Sequence, residues 1–266
     1  MSTISIYLEG IGICGPGLAG WGLAREILAG AATYAPTPTA LSAVEKLPPA
    51  ERRRVGAPVK LAMAIGLEAA QAAGADVANL ATVFSSTEAD CDNTHAILEA
   101  LASAERSMSP TRFHNSVHNA PAGYWSIATG SMQPSTSLNT YDATFAAGLL
   151  EAATQAQCNQ SACLLIAFDT AFPEPVRSLR PIPDAMGVAM VVRPDRSESS
   201  WARLTLVPSH APATVMAQPD LEQLRQGIPA ARALPLLEVL AQRRSGAVVL
   251  DYLESMTLCM EVSWLR

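Results

Sequence analysis

Three stretches of this 266-residue chain carry residues whose type and spacing could do chemistry. The first is "LNTYDATFAAG", residues 138–148, where a short apolar strand meets a tight bend and then a run of small helix-forming residues. A thiol or hydroxyl at such a bend is activated by the unpaired N–H groups of the helix start. Here the apex is Asp142. An aspartate in this position most commonly caps the helix, an effect worth about 1 kcal/mol, and the other reading is a carboxylate base or nucleophile.

The second stretch, "SPTRFHNSVHNAPAGYWSIATGSMQPSTS" at 109–137, gathers two His, two Asn and three aromatics. His114 and His118 stand at i, i+4, a metal-compatible spacing, but no HExxH pattern or third ligand accompanies them. A packed contact element is the expected role, and no metal or other cofactor is predicted. The third stretch, "FSSTEADC" at 84–91, follows an apolar strand. Beyond Asp142 the chain has no lysine and one histidine, His210, so no later basic group is expected to polarise a substrate.

The elements that must position these stretches alternate. Strands are expected at 4–13, 80–86, 135–140 and 162–168, with helices at about 18–28, 58–73, 92–104 and 142–157. Residues 107–131 read as a loop, and Pro-rich loops span 35–50 and 172–184. Strands at 187–193 and 201–208 read as neighbours; the tail holds helices at about 220–226 and 231–243 and strands at 247–253 and 257–265. This βαβα order predicts a layered α/β sheet with helices on both faces.

Composition narrows the classes. Half the residues are hydrophobic (49%), enough for a substantial core, yet no apolar run approaches the roughly 20 residues of a membrane span. The start reads as a strand rather than a signal peptide, which predicts a cytoplasmic protein. Five cysteines without CxxC pairing suggest reduced thiols. With a net charge of −6 and "RRR" at 52–54 as the lone basic run, nucleic acid is not an expected partner.

The order of "SPTRFHNSVHNAPAGYWSIATG", "PSTSLNTYDATFAAGLLEA", "ACLLIAFDT" and "MGVAMVV" resembles the N-terminal half of β-ketoacyl-acyl carrier protein synthases, over roughly residues 4–195. The resemblance implies a thiolase-like layered α/β/α fold in one domain, 1–266, with the N-terminal half (about 1–195) largely complete and the C-terminal portion (about 196–266) abbreviated. It places Asp142 where the family carries its acyl-accepting cysteine. With the paired histidines and lysine also missing, the chain resembles the chain-length-factor type of ketosynthase-like subunit, in the shortened form found with aryl polyene clusters.

Such a subunit is non-catalytic on its own. It pairs with a full-length β-ketoacyl-ACP synthase, meets acyl carrier protein through that complex, and shapes the acyl tunnel that limits polyketide or polyene length. The resemblance further implies tunnel positions at Thr87, Ala89, Asp90, Cys91, Tyr141 and Phe145. Phe113, Asn115, Val117, His118, Asn119 and Tyr124 are the implied interface residues. Two alternatives stay open: a decarboxylase or acyltransferase using Asp142, and a decayed synthase that serves as a scaffold for acyl carrier proteins.

Overall fold

The structure, a computed structural model, describes residues 3–265. Among the described residues nine strands form one mixed sheet: β1 (Ile4–Gly15), β2 (Leu18–Ala19), β3 (Ala81–Ser85), β4 (Ser135–Leu138), β5 (Cys163–Asp169), β6 (Met186–Arg193), β7 (Ala202–Ser209), β8 (Gly246–Leu253) and β9 (Met256–Trp264). Their order is β4-β3-β5-β6-β1-β7-β9-β8, with β2 folded back on the end of β1. Strands β4, β3 and β5 run parallel; every other pairing is antiparallel.

The helices are α1 (Trp21–Leu28), α2 (Pro49–Arg52), α3 (Ala57–Ala73), α4 (Cys91–Ala102), α5 (Pro110–His114), α6 (Ala120–Thr129), α7 (Thr144–Asn159), α8 (Val176–Leu179), α9 (Pro219–Gly227) and α10 (Leu234–Ala241). Two apolar clusters lie on opposite faces of the sheet, the first under α1, α7, α9 and α10, the second under α3 and α6. The expected α/β/α layering is therefore present. Every residue of β3 and β5 is buried because helices cover both their faces, whereas β7 and β9 alternate.

Sequence explains the central helix. Pro58 sits in the first turn of α3, where its missing N–H costs nothing, and Gly74 closes the helix in the left-handed region at φ 62°. Its alanine-rich body lies directly on β1. A Cβ at Gly12 would come 2.0 Å from the Ile65 carbonyl oxygen, and one at Gly10 would come 2.1 Å from that of Ala69, so only glycine permits the approach. Glu68 then joins three elements, accepting from the N–H of Ile13 at 2.9 Å and from that of Trp21 at 2.6 Å.

Three expectations need correction. Residues 107–131 are not one loop: they contain α5 and α6, each opened by a proline in its first turn, with Ser109 capping α5. The strands at 186–193 and 202–209 are not neighbours, because β1 lies between them and pairs with both. The helix expected from 18 starts at Trp21, since Leu18 and Ala19 pair with the end of β1 as β2. In each case pairing or packing at a distance outweighs the local pattern.

Candidate functional site

The bend between β4 and α7 is a 3₁₀ turn, Tyr141–Ala143. Tyr141 has φ 53°, a left-handed conformation unfavourable for an aromatic residue, and several groups hold it there. Its carbonyl accepts from Thr87 Oγ1 at 2.5 Å and Thr144 Oγ1 at 3.0 Å, while the Arg180 guanidinium carbon lies 3.6 Å from the centre of its ring. The strain is concentrated one residue before the apex.

Asp142 does not cap α7. The cap position is Ala143, with no side-chain bond to the helix. The carboxylate turns instead to two arginines: Oδ1 accepts from Arg180 Nη2 at 2.6 Å and Oδ2 from Arg232 Nη2 at 3.0 Å. Each oxygen thus carries a charge-assisted bond, and an attack on substrate would have to break an ion pair. Two later basic groups, both arginines, thus reach the bend, where they pair with Asp142. Arg180 comes from the Pro-rich loop and Arg232 from the C-terminal portion, 38 and 90 residues from the apex.

Beneath the bend lies Asp169, the last residue of β5 and 1% exposed. It accepts from the N–H of Thr87 at 2.8 Å and from that of Ala230 at 2.8 Å. Burial pushes its carboxyl up to about 7, opposed by the bonds from Thr87 and Ala230 and by the charge of Arg180. The turn after β3, the end of β5 and the C-terminal portion therefore meet at one buried carboxyl. Asp169, Arg180 and Arg232 were missed from sequence; the available signal was an acid ending the otherwise apolar "ACLLIAFDT".

The expected tunnel residues divide. Thr87 is buried under the bend and bonded to Tyr141, Thr144 and Asp169, so its role here is to hold the turn. Ala89 is buried, and Asp90 caps α4 by accepting from the Asn93 N–H at 3.0 Å. The Cys91 thiol is pushed up to about 11, first by burial and then by the charges of Glu88, Asp92 and Asp90, which leaves it a poor nucleophile. Phe145, in the first turn of α7, is in the core, whereas Tyr141 is 64% exposed.

Of the expected interface residues, Phe113 and Val117 are 63% and 51% exposed, and Asn119 is exposed. His118 Nε2 lies 2.9 Å from the Leu138 carbonyl oxygen, which seats this arm against the end of edge strand β4. Asn115 is half-buried, donates to the Arg54 carbonyl at 2.9 Å and accepts from the Tyr124 hydroxyl at 2.9 Å. Tyr124 is itself buried, so its ring supports the arm from inside and is not on the surface. Met132, Ile127 and Leu179 are further exposed apolar side chains.

Among the described residues no group of three or more His, Cys, Asp or Glu is placed to hold a metal ion, and no helix is long and apolar enough to cross a membrane. His210 Nδ1 lies 2.9 Å from the Ser255 carbonyl oxygen, at the turn between β8 and β9.

Residues 28–250 match the model of the β-ketoacyl synthase N-terminal domain. No curated protein sequence matches the chain. Among solved structures it is similar to a ketosynthase (ApeO) in complex with its chain length factor (ApeC) from Xenorhabdus doucetiae, with TM-score 0.74 and 19% identity over 97% of this chain and 99% of the other. The AntDE:AntF complex, an acyl-carrier protein with its type II polyketide ketosynthase bound to the hexaketide, gives TM-score 0.72 at 10% identity, over 99% of this chain and 100% of the other. The ishigamide ketosynthase/chain length factor gives 0.69 at 14%, over 99% and 100%. At these identities the likeness establishes a fold, that of the thiolase-like ketosynthases.

Proposed function

The chain belongs to the β-ketoacyl synthase N-terminal domain family, and from that premise we propose that it is a non-catalytic chain length factor. It pairs with an active β-ketoacyl-ACP synthase and helps to shape the acyl tunnel of that complex, in aryl polyene or related polyketide assembly in the cytoplasm. Acyl carrier protein reaches it through the complex.

The observation that carries this reading is the apex itself. Where the family's fold presents a nucleophile, Asp142 is tied at both oxygens to Arg180 and Arg232. The turn holds a strained residue, Tyr141 at φ 53°, directly before the apex, and the apex carboxylate is taken up in an internal ion pair. A chain selected for its own acyl chemistry would keep that position free for substrate. The exposed arm with Phe113, Val117 and Asn119, next to edge strand β4 and the exposed ring of Tyr141, supports a paired rather than solitary state.

Co-expression with a synthase that retains its cysteine is the direct test. A stable one-to-one complex is expected, with turnover that depends on the synthase cysteine and survives Asp142→Asn in this chain. Loss of turnover in Asp142→Asn with the complex intact would transfer the chemistry to Asp142. Failure of any synthase to co-purify would remove the pairing. Within the complex, Ala89→Phe should shorten the products, because Ala89 is small, buried and beside the Pro58 and Val59 turn.

A further inference from the structure

Three of the four tryptophans, Trp21, Trp201 and Trp264, converge on one pocket of about 390 Å³, together with Leu240, Arg25 and Arg243. It lies at the end of the sheet away from the Asp142 bend. Asp169, under the bend, ends β5; the start of β5, Cys163, pairs with Val192, Val192 with Leu8, and Leu8 with Ala202, next to Trp201. The pocket is therefore separate from the turn on which the proposed function rests.

Its walls and its rim have different chemistry. Trp201 and Trp264 meet edge to face with ring centres 5.3 Å apart, and Trp21 opens α1 opposite them, so the interior is aromatic. Arg25 and Arg243 are exposed, and neither guanidinium has an ion pair or hydrogen bond among the described residues. The arginines in the molecule's other clusters, Arg180, Arg193, Arg225 and Arg232, are all paired. Of the acids nearby, Glu9 in the adjoining cleft is taken up by Arg193 at 2.9 Å and by Ser197, and Glu68 by the N–H groups of Ile13 and Trp21.

Indole rings packed only for stability would fill the space between them, because interiors close to crystal density. Here they leave a volume within the roughly 300–1,000 Å³ range of small-molecule sites. A cation would suit the indole faces but is repelled by the two guanidinium groups. A planar aromatic anion satisfies both, with its ring against indole and its carboxylate on the planar donors of arginine. We propose that the Trp21–Trp201–Trp264 pocket binds a small aromatic carboxylate, held by Arg25 and Arg243.

Benzoate is the probe, titrated into the full chain and followed by the indole N–H resonances. Trp125 lies in the core on the other face and serves as an internal reference for the fold. The resonances of Trp21, Trp201 and Trp264 should shift saturably with Kd on the order of 1 mM, as expected for a ligand of this size, while Trp125 stays in place. Hexanoate should bind about fivefold or more weakly and benzylamine not detectably. The double variant R25Q/R243Q should weaken benzoate about tenfold or more with Trp125 unmoved. No saturable shift, equal binding of benzylamine or hexanoate, or an unaffected double variant would each overturn the assignment.

Discussion

The Asp142 bend and the arm from 109 to 132 lie side by side but treat their exposed groups in opposite ways. At the bend, a strained backbone, a carboxylate and two arginines are joined by bonds supplied from four separate segments of the chain. In the arm, backbone and amide groups are satisfied while Phe113, Val117, Ile127 and Met132 remain exposed. One region is closed by the chain's own residues; the other presents apolar surface that needs a cover. The difference separates what this chain does for itself from what it is proposed to do for a partner.

The contrast can be broken most strongly at the arm. Phe113→Asp with Val117→Asp should lower capture of a co-expressed synthase by roughly a hundredfold or more, the scale of losing two central apolar contacts. The urea midpoint of the isolated chain should change little, because both side chains are exposed. A comparable loss of stability would place these residues in the fold rather than in a contact.

At the bend the order of effects reverses. Asp142→Ala leaves Arg180 and Arg232 facing one another, and should cost about 2 kcal/mol of stability after allowance for the partial exposure of the pair. Equilibrium unfolding measures this directly, and a neutral substitution would mean that the clamp contributes nothing to the turn.

A gentler test uses Asp169. Its carboxyl is raised to about 7, so between roughly pH 4 and 7 the native state keeps a proton that the unfolded chain has lost. The stability due to this group is present below pH 4, falls as pH rises through that window and is gone above it. The slope is at most about 1.4 kcal/mol per pH unit. Glu222 works in the opposite sense at lower pH: Arg225 beside it holds its carboxyl down to about 2, so its contribution is present above about pH 4.5 and is lost as pH falls toward 2. Asp169→Asn should flatten the decline between pH 4 and 7 in urea midpoints; an unchanged slope would assign it to another group.

Much of the framework was legible from local pattern. The apolar runs of β3, β5 and β6, the Pro58 start and Gly74 end of α3, and the small residues of α7 all carry short-range signals that the fold obeys. The arm was legible as a cluster of unusual composition but not as two helices, since α5 is a single turn and α6 has no side-chain cap to announce it. Tyr124 illustrates the limit: its type suits a contact surface, and only packing placed it inside, against Asn115 and Phe84's neighbour Trp125.

By itself the sequence determined the layered class of the chain, the strand-bend-helix at 138–148 and the aspartate at its apex, because these depend on residue type and spacing within a few turns. The tertiary structure decided what Asp142 does. Its partners stand 38 and 90 residues away, and the tryptophan pocket spans positions 21 to 264; β-sheet pairing, not local propensity, brings such residues together.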